Sequence, residues 1–290
     1  MNETPETWNL LLNNISVAIG NQGAIFQKIF EADGYLARAE RDRIIARHSN
    51  DPNRLENYGY KVYSQHEEDG IISKIMEIIG LTTATFIEIG VEDGLECNSR
   101  LLLQNGWQGI WIDGNHEKLN SASLTFAKYL QEEKLIIKNS FITRSNINEL
   151  TNKQESERLG MVSIDIDGND YYIWEELQLS PPLVIIEYNS KFPPPAKLVQ
   201  KYDERWVWNH ATDDYGASLG ALVDLGIRKG YRLICCSITG VNAFFIRNDL
   251  ANKFGQYDSN ELYHPARHHL IASQFIGSGH HPGKMIFDKI

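Results

Sequence analysis

The chain of 290 residues has only three cysteines, Cys97, Cys235 and Cys236. Cys235 and Cys236 adjoin in an apolar run, so on a strand they point to opposite faces and do not bridge. A disulfide framework is excluded, and buried reduced thiols of a cytosolic protein are expected. No apolar run approaches the roughly 20 residues of a membrane span. The opening MNETPETWN has neither the basic nor the apolar segment of a signal peptide, which sets the expected location as cytoplasmic. Dense lysine or arginine runs are missing, and the formal net charge is -10. Such a surface repels phosphates at long range, which argues against a nucleic-acid partner. There is no internal repeat and no low-complexity tract. What is present, 42 % hydrophobic and 23 % charged residues, suits an ordinary globular enzyme with one full core.

Hydrophobic spacing divides the chain into three parts. Residues 1–57 form an N-terminal helical extension, 58–250 the main domain, and 251–290 a tail packing on or near the core. In the extension Leu11, Ile15 and Ala18 make one helical stripe and Ile25, Phe26, Ile29 and Phe30 another, with Gly20 and Gly23 separating two helices. Their expected role is a cap on the core or a contact between two copies, which makes a homo-oligomer an expected partner state; a substrate lid is the alternative. From Tyr63 the pattern changes. A helix through Ile71, Ile75 and Ile79 ends at Gly80. Continuous apolar runs then alternate with helical stretches, at Ala84–Gly90, Gly109–Asp113, Leu135–Lys138, Met161–Asp165 and Leu183–Tyr188. Continuous runs of this kind are strands buried on both faces of a parallel sheet. After a helix predicted over Gly216–Lys229, Tyr231–Ser237 and Asn242–Arg247 are too close for a crossover and form an antiparallel hairpin. The fold class is α/β, a Rossmann-like, mostly parallel sheet closed by that hairpin.

Ligands of such sheets bind at the carboxyl ends of the strands. There the first strand ends in TFIEIGVEDGLECNS, in which Glu88, Gly90 and Gly94 begin a glycine turn. Gly90 allows a tight turn, and Gly94 is expected to let a ligand approach the backbone. Asp113 closes the next strand, where a carboxylate accepts the two hydroxyl hydrogens of a ribose. A pyrophosphate at this turn would face Glu92 and Asp93, and the G-x-G-x-x-G spacing of dinucleotide sites is missing. S-adenosylmethionine, which carries a sulfonium and an ammonium group, tolerates those acids. The expected ligand is a cation.

At these residues the chain resembles the class I S-adenosylmethionine-dependent methyltransferases, and among them FkbM-type enzymes. The stretches that carry the resemblance are YSQHEEDGII, FIEIGVEDGLECNS, GIWIDGN, SIDIDGNDYYIW, VIIEYNSKFPP, DYGASLGAL and GVNAFF, from Tyr63 to about Arg247. Glu92 departs from the pattern, since many such enzymes have a further glycine there. The resemblance implies methyl transfer to a hydroxyl, often on a sugar or natural product. It also implies that Ser64 and Gln65 help close the cofactor site; for Ser64, capping the following helix is an equal alternative.

A second constellation lies further along. Asp165 and Asp167 end one strand, and Glu187 and Asn189 end the next. On neighbouring strands four oxygen ligands would converge, and carboxylates so gathered need a cation or a raised pKa. Hard oxygens suit Mg²⁺, Mn²⁺ or Ca²⁺. Without a metal, one carboxyl keeps its proton or binds the cofactor's ammonium. Asp165, Asp167 and His210 are the candidate catalytic groups, with His210 either a general base or a packing histidine. His264, His268, His269, His280 and His281 lack the spacing of a zinc site and are expected in a solvated tail. Lys191–Pro195 should form an extended wall, and Trp206 and Trp208 either stack on an acceptor or pack in the core. The first reading is an S-adenosylmethionine-dependent O-methyltransferase acting on a small molecule. The alternatives are a non-catalytic binding module of the same fold, and an NAD-dependent oxidoreductase or epimerase.

Overall fold

Apolar side chains on both sides of the expected strands demand cover on both sides, and the chain supplies it with helices. The structure, a computed structural model, describes residues 5–151, 158–208, 212–267 and 270. One long helix, α1 (Pro5–Ala46), precedes a short 3-10 turn at Leu55–Tyr58 and α2 (Glu68–Ile79). The alternating part follows as β1 (Thr85–Ile89), α3 (Arg100–Gln104), β2 (Gln108–Asp113), α4 (His116–Thr125), α5 (Ala127–Gln131) and β3 (Leu135–Asn139). It continues with α6 (Ile147–Leu150), β4 (Leu159–Ile164), α7 (Asp170–Glu176), β5 (Leu183–Glu187) and α8 (Leu219–Lys229). The hairpin β6 (Tyr231–Cys236) and β7 (Asn242–Arg247) and the short α9 (Ser259–Leu262) complete the described part.

The seven strands form one sheet in the order β3-β2-β1-β4-β5-β7-β6. Strands β1 to β5 pair in parallel, and β7 runs antiparallel to both β5 and β6. Successive strand residues serve opposite faces: Phe86, Trp111 and Met161 pack with α2 to α5, while Ile87, Ile110 and Val162 pack with α6, α7 and α8. The order reverses between β1 and β4, which opens a crevice at their carboxyl ends.

Three expectations need correction. Gly20 and Gly23 do not separate two helices, because α1 is continuous through both. Neither position has a neighbour within 4 Å, so nothing there opposes a helical backbone. The helix expected from Gly216 begins only at Leu219, where the Ser218 side chain accepts from the Ala221 amide as N-cap. The tail is not simply solvated as far as it is described. His264 is buried, and its carbonyl accepts from the Tyr188 hydroxyl at 2.6 Å. His268, His269, His280 and His281 lie outside the described residues. All three cysteines are free and buried, and no described helix is long and apolar enough to cross a membrane.

Candidate active site

The crevice holds a cavity of about 1020 Å³. Gly90, at φ 85°, turns the chain out of β1, and a Cβ there would sit 1.6 Å from the Asp165 carbonyl oxygen. Only glycine lets β1 and β4 end this close together. The turn is then fixed by Asp113: one carboxylate oxygen accepts from the Glu92 amide at 2.8 Å, the other from the Asn115 amide at 2.7 Å. A carboxylate oxygen accepts more than one hydrogen bond, so both stay able to take a ligand hydroxyl. The Glu92 side chain, at the rim of the cavity, pairs with Lys118 at 3.1 Å.

Gln65, Gly90, Asp113, Asp165, Asp167 and Glu187 all line this cavity, as expected for a shared site. Four other candidates do not. Gly94 backs onto the core, where a Cβ would meet Trp111 at 2.4 Å, and it does not line the cavity. Glu88 is buried beneath the turn and accepts from the amides of Asn98 at 2.7 Å and Ser99 at 2.8 Å, which anchors the entry to α3. Ser64 is fully buried and ties the segment before α2 to its first turn, its hydroxyl accepting from the Asp69 amide at 3.1 Å while the Asp69 carboxylate accepts from the Ser64 amide at 2.8 Å. Asn189 gives its amide to the carbonyls of Asp213 and Tyr215, at 2.9 and 3.0 Å, and its oxygen accepts from the Lys191 amide. Its place in a ligand set is therefore taken by backbone. His210 lies outside the described residues.

The remaining acids do converge. One carboxylate oxygen each from Asp165, Asp167 and Glu187 lie within 4.8 Å of one another. Asp167 is not a strand residue; β4 ends at Ile164, and Asp167 is carried back toward the site by a turn with φ 54°. Asp170 holds that turn by accepting from the amides of Ile166 and Gly168, both at 2.8 Å. Burial, then the charges of Asp170 and Asp167, push the Asp165 carboxyl well above its ordinary range. Burial and then Asp165 do the same to Glu187, whose buried Oε2 has no hydrogen-bond partner. Asp170 is itself raised to about 6, chiefly by burial.

Aromatic side chains supply the opposite wall. Trp206 covers Gly168 and donates to the Asp167 carbonyl at 3.3 Å, while Trp208 packs 5.0 Å from Tyr215. A second cavity of about 420 Å³ adjoins, with Trp206 and Tyr215 common to both. Sequence reasoning did not find Tyr215 or Phe141, both of which line the main cavity. A tyrosine before a glycine in a polar loop carries no signal of its own. Charge is the dominant property of the cavity: seven carboxylates and one lysine line it among the described residues.

No protein-family model and no curated protein matches the sequence. Among solved structures, a protein described as a "putative caffeoyl-CoA O-methyltransferase" from Staphylococcus aureus is similar over 72 % of this chain and 99 % of its own, at 16 % identity and a TM-score of 0.45. The methyltransferase domain of bacterial CtHen1 is similar over 62 % of this chain and 97 % of its own, at 14 % identity and a TM-score of 0.40. For an S-adenosylmethionine-dependent methyltransferase from Clostridium acetobutylicum the shares are 62 % and 90 %, the identity 12 % and the TM-score 0.39. The sheet order, with its reversed seventh strand, states the fold directly: a Rossmann-like, mostly parallel seven-stranded sheet closed by an antiparallel hairpin.

Proposed function

We propose that the protein is an S-adenosylmethionine-dependent methyltransferase of the FkbM-like type, working in the cytoplasm on a hydroxyl of a sugar or natural-product-type small molecule. One observation carries this reading: a cavity at the sheet's switch point in which Asp113 faces a cluster of carboxylates with almost no basic counterpart. A dinucleotide pyrophosphate would be repelled there, whereas a sulfonium and an ammonium are attracted. Asp113 would take the ribose hydroxyls, and Gln65 and the Gly90 turn would border the methyl donor. Trp206, Trp208 and Tyr215 offer flat apolar faces to a sugar or aromatic acceptor.

The chemistry needs little beyond placement. The acceptor oxygen approaches the methyl carbon in line, the carbon–sulfur bond breaks as the carbon–oxygen bond forms, and the acceptor proton leaves. Asp165 and Glu187, which line the cavity, would receive that proton. The same pair with Asp167 also fits a hard divalent cation. Three carboxylates converge, and the unpartnered Glu187 Oε2 is an oxygen in want of a donor or an ion. Bound there, a Mg²⁺ or Mn²⁺ ion would lower the pKa of the acceptor hydroxyl.

The test has two arms. Titration calorimetry with S-adenosylhomocysteine and with NAD should give binding by the first and none by the second. Assay against a panel of hydroxylated acceptors, with and without EDTA, should then give methylated product that falls at least about tenfold when metal is removed. Full activity in EDTA would remove the metal, and unchanged activity of Glu187→Gln would remove Glu187 as proton acceptor as well and leave Asp165 alone in that role.

A further inference from the structure

At 1.5 Å per residue, the 42 residues of α1 span about 63 Å, longer than the domain beside it requires. Among the described residues, the body holds only its last third. Ala37 and Ile44 are buried with Ile238 and Leu270, and the Arg41 guanidinium donates to the Gly59 carbonyl at 3.1 Å. Ahead of that point the helix presents apolar residues to solvent: Ile25 is 58 % exposed, Ile29 56 % and Leu36 63 %, with Ala32 exposed between them.

The spacing of those four residues is four, three and four, which is the seam of a heptad repeat. Extended in both directions, the seam reads Trp8, Leu11, Ile15, Ala18, Gln22, Ile25, Ile29, Ala32, Leu36 and Ala39. The only polar member is Gln22. The two glycines of the helix, Gly20 and Gly23, fall at outer positions of the same register, away from the seam. A helix carrying two exposed glycines is weak on propensity alone and needs packing to persist.

We propose that this seam pairs with the seam of a second copy of the chain as a parallel, two-stranded coiled coil. Three features select this occupant. First, Ile29 falls at an a position of the seam, where a β-branched side chain favours two strands. Second, a parallel pair sets Gln22 against its own counterpart, where the two side-chain amides satisfy each other. This is the usual device by which one polar seam residue fixes register. Third, the exposed Ile25, Ile29 and Leu36 lie on a different face of the helix from Ala37 and Ile44, which the body holds, so the seam is open to a second copy. Pairing of this kind carries two catalytic domains at the same end of one stalk.

The experiment is sedimentation equilibrium of the full chain, with Gln22→Cys and Ala32→Cys as separate register probes. The expected mass is twice the 33.1 kDa of one chain. Ile25→Asp with Ile29→Asp should give a single-chain mass and an unchanged near-ultraviolet dichroism of the domain. Because the three native cysteines are all buried, mild oxidation of either probe should yield one covalent dimer. An antiparallel pair brings at most one of the two positions against its own counterpart, so cross-linking at both requires the parallel register. A monomeric or higher-order native chain overturns the proposal. So does a dimer that survives the double aspartate change, or one in which either cysteine probe fails to cross-link.

Discussion

Two buried glutamates show how burial and partnering divide otherwise similar side chains. Glu56 is held by Arg54 and lies 3.6 Å from His264; these partners outweigh burial and bring its carboxyl down to about 2. Glu67 is buried beside Glu68, accepts from the Ile238 amide at 2.5 Å, and is raised by burial and by the Glu68 charge to about 8. The consequences have opposite sign. For Glu56 the stabilisation is complete above its ordinary 4.5 and is lost as pH falls toward 2. The folded protein keeps the Glu67 proton to about pH 8 while the unfolded chain releases it near 4.5, so stability declines as pH rises through that window. Glu67→Gln, which keeps the acceptor oxygen, should therefore match the native protein at pH 4 and exceed it by on the order of 2–4 kcal/mol at pH 9. Urea denaturation at the two pH values checks this, and equal stabilities at pH 9 would contradict it.

Elements were more legible than the contacts at their ends. The continuous apolar runs ending at Asp113 and Tyr188 announced strands covered on both faces, and the short link after Ser237 announced the reversed hairpin, because burial and chain length alone dictate both. Site residues on strand ends, Asp113, Asp165 and Glu187, were readable for the same reason. What the pattern of residues does not carry is how a polar side chain spends its hydrogen bonds. Asn189 and Ser64 are the right residue types in the right turns, but nearby backbone occupies them. Glycine is ambiguous in the same way. Gly20 sits in open space and is tolerated inside a helix, whereas Gly94, at φ 71°, is required by the ring of Trp111. Gly94→Ala should thus lower stability by about 2–3 kcal/mol, through left-handed strain and a displaced tryptophan. At a temperature where the variant is folded, its affinity for S-adenosylhomocysteine should change little. A fully stable variant that has lost affinity would return Gly94 to the ligand.

At the scale of the molecule, the acidic cavity at the switch point is what the sheet, the glycine turn and the aromatic wall jointly produce. Its central element is Asp113, which lines the cavity and orders the Glu92 turn. The most direct measurement is titration calorimetry of S-adenosylhomocysteine into the native protein and into Asp113→Ala, each first shown to be folded. The account expects one site per chain in the native protein. It expects an affinity lower by about 1.5–3 kcal/mol, roughly 10- to 150-fold, in the variant. No binding to the native protein, or equal affinity in both, would contradict it.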